Sequence, residues 1–224
     1  MYRDRLEAGR HLAFQLAPKY RGRQDVVVLA LPRGGVPVAL PVALVLEAPL
    51  DVFTVRKLGV PGNEELAMGA IARGGIRVLH DSLQGRGIPD AVIDAVAAQE
   101  QRELERRERA YRGDRPYPDV AGKTVILIDD GLATGSSMRA AARALRRLGP
   151  GRIVIAVPVG APETCDELQD EADEVVCAQT PDAFRAVGEW YQDFRQTSDE
   201  EVRDLLATAA SEWERAQAGP ALRG

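Results

Sequence analysis

VILIDDGLATGSSM, residues 125–138, decides how the chain is read. Val125, Ile126, Leu127 and Ile128 are an unbroken run of β-favouring apolar residues, the composition of a central parallel strand covered on both faces. Asp129 and Asp130 stand where that strand ends. Gly131, Ala133, Thr134, Gly135, Ser136 and Ser137 then make a turn of small and hydroxyl residues, and the apolar, arginine-rich residues 138–148 continue as a helix. Successive backbone N–H groups at a helix start form a concavity suited to a phosphate dianion, to which Thr134, Ser136 and Ser137 add hydroxyl donors. Adjacent carboxylates cannot usefully hold that phosphate, but they accept hydrogen bonds from vicinal hydroxyls or lie close to a Mg²⁺ ion. Phosphate beside diol is the pattern of a ribose 5-phosphate.

Other phosphate motifs fit less well. A Walker loop places Lys and then Ser or Thr after its last glycine, whereas Ser136 follows Gly135 directly. A dinucleotide-binding loop has its glycines before any acid, the reverse of the order here. Haloacid-type phosphatases set their aspartates two positions apart, and Asp129 and Asp130 are consecutive. An ordinary turn capped by Asp130 or Thr134 needs less than this string provides.

The string resembles the phosphoribosyl diphosphate (PRPP) signature of the type I phosphoribosyltransferases. The resemblance implies a transferase that displaces pyrophosphate from PRPP with Mg²⁺ as cofactor and passes the ribose 5-phosphate to a small-molecule acceptor, a nitrogenous base. It puts Asp129 and Asp130 on the ribose hydroxyls as catalytic residues and as direct or indirect Mg²⁺ ligands. Gly131, Ala133, Thr134, Gly135, Ser136 and Ser137 would bind the 5-phosphate. Enzymes of 6-oxopurines often carry a third aspartate just before Thr-Gly; Ala133 stands there, so hypoxanthine or guanine specificity does not follow.

Residues 26–31 (VVVLAL) read as a second buried strand running into Pro32, Arg33, Gly34 and Gly35. The resembling enzymes carry a pyrophosphate loop there, often with a non-proline cis peptide, which assigns Arg33, Gly34 and Gly35 to pyrophosphate. Residues 50–55 read as another strand with Arg56 and Lys57 at its tip; the two cations are read as catalytic residues, with Lys57 on the departing pyrophosphate, and a solvated strand end is the alternative. Residues 58–75, with five glycines, Pro61 and Asn63, read as a mobile lid, and Glu64 and Glu65 as lid contacts or exposed acids. Residues 76–79 suit a short strand.

Residues 88–113 read as a long helical insertion. Val92, Ile93, Val96, Ala97 and Leu104 give it an apolar face, and residues 99–112 alternate acids and bases. Pairs such as Glu103 with Arg107 and Glu105 with Arg109 have i,i+4 spacing, worth roughly 0.2–0.5 kcal/mol each. This charge run is read as a solvated face, with a homodimer contact or a wall over the active site as the alternatives. Helices over 3–18 (closed by Pro18), 36–46 (interrupted at Pro41) and 162–172, and strands over 153–159 and 174–178, complete the pattern. The fold expected is α/β, a mostly parallel sheet flanked by helices, with binding loops at the strands' carboxyl ends.

In the tail, Phe184, Trp190, Tyr191 and Phe194 either pack together or stack on a planar base. By resemblance this segment joins the N-terminal one in a small hood, making Trp190 and Tyr191 base-contact candidates. A helix follows Ser198, and residues 211–224 read as a frayed terminus after one domain over 1–210.

The net charge of −5 argues against a general nucleic-acid surface. No stretch is apolar enough to span a membrane, and the charged start is unlike a signal peptide, so the expectation is a cytoplasmic protein. Cys165 and Cys177 show no CxxC pattern and read as two ordinary thiols rather than a disulfide or zinc site; His11 reads as a surface or packing residue. Two other functions share the motif: a regulator that binds PRPP or a nucleotide without turnover, and a phosphohydrolase, which would not require Lys57.

Overall fold

The computed structural model describes residues 1–79 and 88–218, and at 64–66 the backbone alone. The side chains of Glu64 and Glu65 and residues 219–224 therefore lie outside the described part.

Five strands form the main sheet: β1 (Val26–Ala30), β2 (Leu50–Val52), β6 (Thr124–Ile128), β7 (Arg152–Val157) and β8 (Glu174–Cys177). Their order is β2-β1-β6-β7-β8 and every pairing is parallel. The period of two along each strand divides the core. Val26, Val28, Ala30, Ile126 and Ile128 face one side, under α1 (Arg5–Tyr20), α2 (Gly35–Leu46) and α6 (Asp199–Gln217). Val27, Leu29, Val125, Leu127, Ile153 and Ile155 face the other, under α4 (Ser136–Arg146) and α5 (Pro162–Glu167). Both cores have β6 at their centre, and all five of its residues are buried.

Several boundaries differ from the sequence reading. Asp4 caps α1 by accepting from the Glu7 N–H at 2.7 Å, and the helix runs through Pro18 because Tyr20 in its last turn is core. α2 likewise continues through Pro41; it lies between the sheet and α1 and is buried on nearly every side, so packing outweighs the missing N–H. Residues 50–55 are not one strand: β2 stops at Val52, and β3 (Val55–Val60) belongs to another sheet. α6 extends to Gln217, so residues 211–217 are helical rather than frayed.

Where a lid is expected over residues 58–75, the chain forms that other sheet. β3, β4 (Asn63–Ala72) and β5 (Ile76–Leu79) form a three-stranded antiparallel arm. Its tight turn places Gly62 at φ 79°, the left-handed region that favours glycine. The Gly, Pro and Asn residues that suggested a lid serve as hairpin punctuation.

α3 (Asp90–Arg112) packs on one face of the arm through Ala97 against Leu58, Met68 and Ile71. Its middle is solvated, and Glu103 accepts from Arg107 at 2.8 Å, while Glu105 accepts from Gln101 at 2.6 Å. Its end is not a solvated face. Arg112 is buried, and its Nε and Nη2 reach the Asp51 carboxylate at 2.7 and 2.6 Å. The Tyr117 ring lies between the guanidinium groups of Arg73 and Arg112, 3.0 and 3.3 Å from its centroid.

Cys165 and Cys177 are joined in a disulfide, correcting the reading as two thiols. α5 packs on the face of the sheet to which Cys177 of the edge strand β8 also belongs, which brings the two Cα atoms to 6.6 Å; their spacing in sequence carries no cue to that crossover. Among the described residues no helix is long and apolar enough to cross a membrane.

Candidate active site

β1 and β6 are neighbours in register, Ala30 beside Ile128, but their chains leave the sheet toward helices on opposite faces. A crevice opens at the carboxyl ends of such a strand pair. Leu31 N–H donates to the Ile128 carbonyl at 2.8 Å and holds the two exits together. The peptide between Pro32 and Arg33 is cis. Gly34 and Gly35 then pass so close to the acids that no side chain fits. A Cβ on Gly34 would lie 2.1 Å from Asp130 Oδ2, and one on Gly35 2.6 Å from the Ile128 carbonyl oxygen.

The acids themselves are held by near and distant groups. Asp129 Oδ1 accepts the Asp130 N–H at 2.8 Å. Asp130 Oδ2 accepts from both Nε and Nη2 of Arg5, each at 2.8 Å, while Arg5 Nη1 donates to the Arg195 carbonyl at 2.8 Å. The Arg5 guanidinium also lies over Phe194, 4.0 Å from the ring centroid. Tyr191 Oη donates to the Asp130 carbonyl at 2.6 Å. Burial pushes both carboxyls above the ordinary aspartate range; the neighbouring Asp130 charge adds to the rise at Asp129, and Arg5 opposes the rise at Asp130.

Arg5 and the Asp130-bound role of Tyr191 were missed by sequence reading. Neither has a local motif. They arrive because the chain's first residues pair with the tail: Tyr2 N–H donates to the Trp190 carbonyl at 2.7 Å and Gln192 N–H to the Tyr2 carbonyl at 2.8 Å. Trp190 packs in the same aromatic cluster as Tyr2 and Tyr191, and its Nε1 is buried with no hydrogen-bond partner among the described residues. Tyr191→Phe is expected to lower unfolding stability by about 1 kcal/mol or somewhat more, because it orphans a buried carbonyl. Chemical denaturation checks it; an unchanged midpoint would mean the bond contributes nothing.

The turn after the acids is built against the neighbouring loop. Leu132 N–H donates to Val159 O at 3.0 Å, and Ala161 N–H returns a bond to Leu132 O at 2.9 Å. Thr164 Oγ1 donates to the Ala133 carbonyl at 2.6 Å. Gly135 caps α4, and Thr134, Ser136 and Ser137 are grouped around that helix start, with Thr134 Oγ1 and Ser136 Oγ 3.1 Å apart. The result is a helix start lined with hydroxyls and open to an anion. Thr164→Val should weaken ribose 5-phosphate binding about threefold to tenfold by loosening Ala133, in line with one lost hydrogen bond. Calorimetric titration reads this, and unchanged affinity would show that the turn holds its shape without Thr164.

The cations divide between three places. Lys57 sits on β3 opposite Ala70 and lines a cavity of about 490 Å³ shared with Thr134, Ser136 and Ser137. Arg56, next to it on the strand, points to the other face and pairs with Glu100 of α3, away from that cavity. Arg33 lies 3.6 Å from Asp199, which also accepts from Tyr111 Oη at 3.1 Å. The structure thus groups Asp129 and Asp130 with Gly34 and Gly35, and Lys57 with the turn at 134–137.

The donor set suits Mg²⁺ shared with a substrate. Asp129 and Asp130 offer hard carboxylate oxygens, and no group of three or more His, Cys, Asp or Glu among the described residues is placed to hold a metal by itself. Mg²⁺ is commonly bound by one or two carboxylates together with substrate phosphates and water.

Comparison with known proteins follows the same lines. Residues 2–194 match the family model described as a phosphoribosyl transferase domain. Two curated Mycobacterium tuberculosis sequences, whose names assign them provisionally to the phosphoribosyl transferases, are each 47% identical over 210 residues, 93% of this chain and 47% of theirs. The chain therefore spans about half the length of these curated relatives. The "Bifunctional protein PyrR" of a Roseiflexus species is 31% identical over 147 residues, covering 65% of this chain and 62% of its own. A solved structure from Thermus thermophilus superposes with a TM-score of 0.83 at 44% identity, covering 93% of this chain and 98% of that one.

Proposed function

The chain belongs to the phosphoribosyl transferase domain family, and on that premise we propose that it binds PRPP with Mg²⁺ and transfers the ribose 5-phosphate to a nitrogenous base, releasing pyrophosphate. The observation that carries the reading is the meeting of three parts at the ends of β1 and β6. These are the acidic pair, the hydroxyl-lined start of α4, and the two glycines that lie against the acids.

In this reading Asp129 and Asp130 accept from the ribose 2- and 3-hydroxyls, and Gly131 and residues 133–137 receive the 5-phosphate. Arg33, Gly34 and Gly35 receive the pyrophosphate. Lys57 adds positive charge beside the phosphate turn, and Arg56 acts through α3 by fixing β3. Mg²⁺, when bound, would neutralise charge on the diphosphate as it leaves. The chain's own contribution is positioning and electrostatic preorganisation, since the acids, the turn and the glycine pair are already packed against fixed partners. The acceptor lies under the hood near Trp190, whose buried indole N–H is unpartnered among the described residues. The proposed setting is the cytoplasm.

The test is a screen of purine and pyrimidine bases with PRPP and Mg²⁺, following pyrophosphate release. At least one base should give base-dependent pyrophosphate. Inorganic phosphate as the product, with or without a base, would overturn the transferase reading in favour of hydrolysis.

A further inference from the structure

The cavity beside Lys57 opens on the side of the phosphate turn away from the acids. Its polar wall is Lys57, the three turn hydroxyls, Arg139 and Arg143; its floor is apolar, from Val55, Ala70 and Val78 of the arm and Ala140 of α4. Asp129, Asp130 and the loop at 33–35 are absent from the lining. A ribose running from the turn toward the acids leaves this compartment unfilled. At about 490 Å³ it is the size of a pocket for a whole small ligand rather than for one phosphate group.

The charges narrow the ligand class. Arg139 Nη2 donates to Glu167 at 2.7 Å, and Arg143 Nε lies 2.9 and 2.8 Å from the two Glu171 oxygens. Glu167 and Glu171 thus bring carboxylate charge to the α4 side of the wall, which disfavours a polyphosphate. A single phosphate on the turn beside Lys57, with an apolar body over the floor, matches the lining.

We infer that this compartment binds a phosphomonoester with a compact, planar apolar body, its phosphate on residues 134–137 and its body between the arm and α4. The inference rests on the reading of that turn as a phosphate site and adds a second ligand that leaves it in the opposite direction. Because both ligands need the same phosphate position, the phosphomonoester excludes PRPP.

Phenyl phosphate, inorganic phosphate and ribose 5-phosphate are the probes, titrated into the full chain. Burying one aromatic ring should make phenyl phosphate bind at least about tenfold tighter than inorganic phosphate, and it should displace ribose 5-phosphate. Ala140→Leu puts a larger side chain on the half-buried floor without harming helix propensity. It should cost phenyl phosphate at least about tenfold in affinity and leave ribose 5-phosphate within about twofold. Ala70→Val on the facing strand gives the same readout should the first variant not fold. Equal affinity for phenyl phosphate and inorganic phosphate, or equal losses of both organic ligands in a folded variant, would overturn the inference and leave the transferase reading standing. Phenyl phosphate binding that floor-filling abolishes, in a protein that binds no PRPP, would support the compartment and remove the transferase reading.

Discussion

Asp129→Asn is expected to lower kcat/KM for PRPP by about 10²–10³-fold while leaving the protein folded. An amide of the same shape still accepts the Asp130 N–H at the Oδ1 position, so the local backbone keeps its bond. What it loses is charge toward the ribose hydroxyls, and hydrogen bonds to a charged group contribute about 1.5–3 kcal/mol each. Asp130→Asn should lose activity comparably but also lower the melting temperature. Arg5 is only 11% exposed, and its Nε and Nη2 both depend on Asp130 Oδ2. Steady-state kinetics beside a circular dichroism melt separates the two effects. Normal PRPP affinity and turnover in both variants would remove the ribose assignment.

Gly34→Ala should be nearly as damaging, about 10²-fold in kcat/KM, although it adds one methyl group. The residue has φ −60° and ψ −30°, an ordinary helical conformation, so backbone freedom is not the reason for a glycine. The reason is space: the new Cβ would stand 2.1 Å from Asp130 Oδ2 and 2.7 Å from its Cγ. Either the carboxylate swings away and gives up both Arg5 bonds, or the 32–35 loop retreats from the crevice. Overpacking of this kind typically costs about 1–3 kcal/mol. Kinetics and a thermal melt check it, and a loss under about threefold would show that the acids tolerate displacement.

Much of this arrangement is legible in the sequence, for local reasons. The run from Val125 to Ile128 is apolar on both faces because β6 is central, and the acids and the turn follow it directly. Gly34 and Gly35 are legible the same way, as the exit from β1. The strands of the arm are hard to see in the sequence because a hairpin and an irregular loop share their Gly, Pro and Asn residues. Once β3 is a strand, its period of two forces Arg56 and Lys57 to opposite faces, so only one of them can share a cavity with the turn at 134–137. Arg5 meets Asp130 only through the pairing of the chain's beginning with residues 190–193, and no spacing in the sequence encodes that contact. The disulfide and the buried Arg112–Asp51 pair were missed for the same reason, each joining segments that the crossovers bring together.

Calorimetric titration of the full chain with PRPP and Mg²⁺, with ribose 5-phosphate and pyrophosphate as separate controls, tests the central claim most directly. Saturable one-site PRPP binding, weakened at least about tenfold by Asp129→Asn, is the predicted result. A folded protein that takes up no PRPP, or takes it up equally well without Asp129, would contradict it.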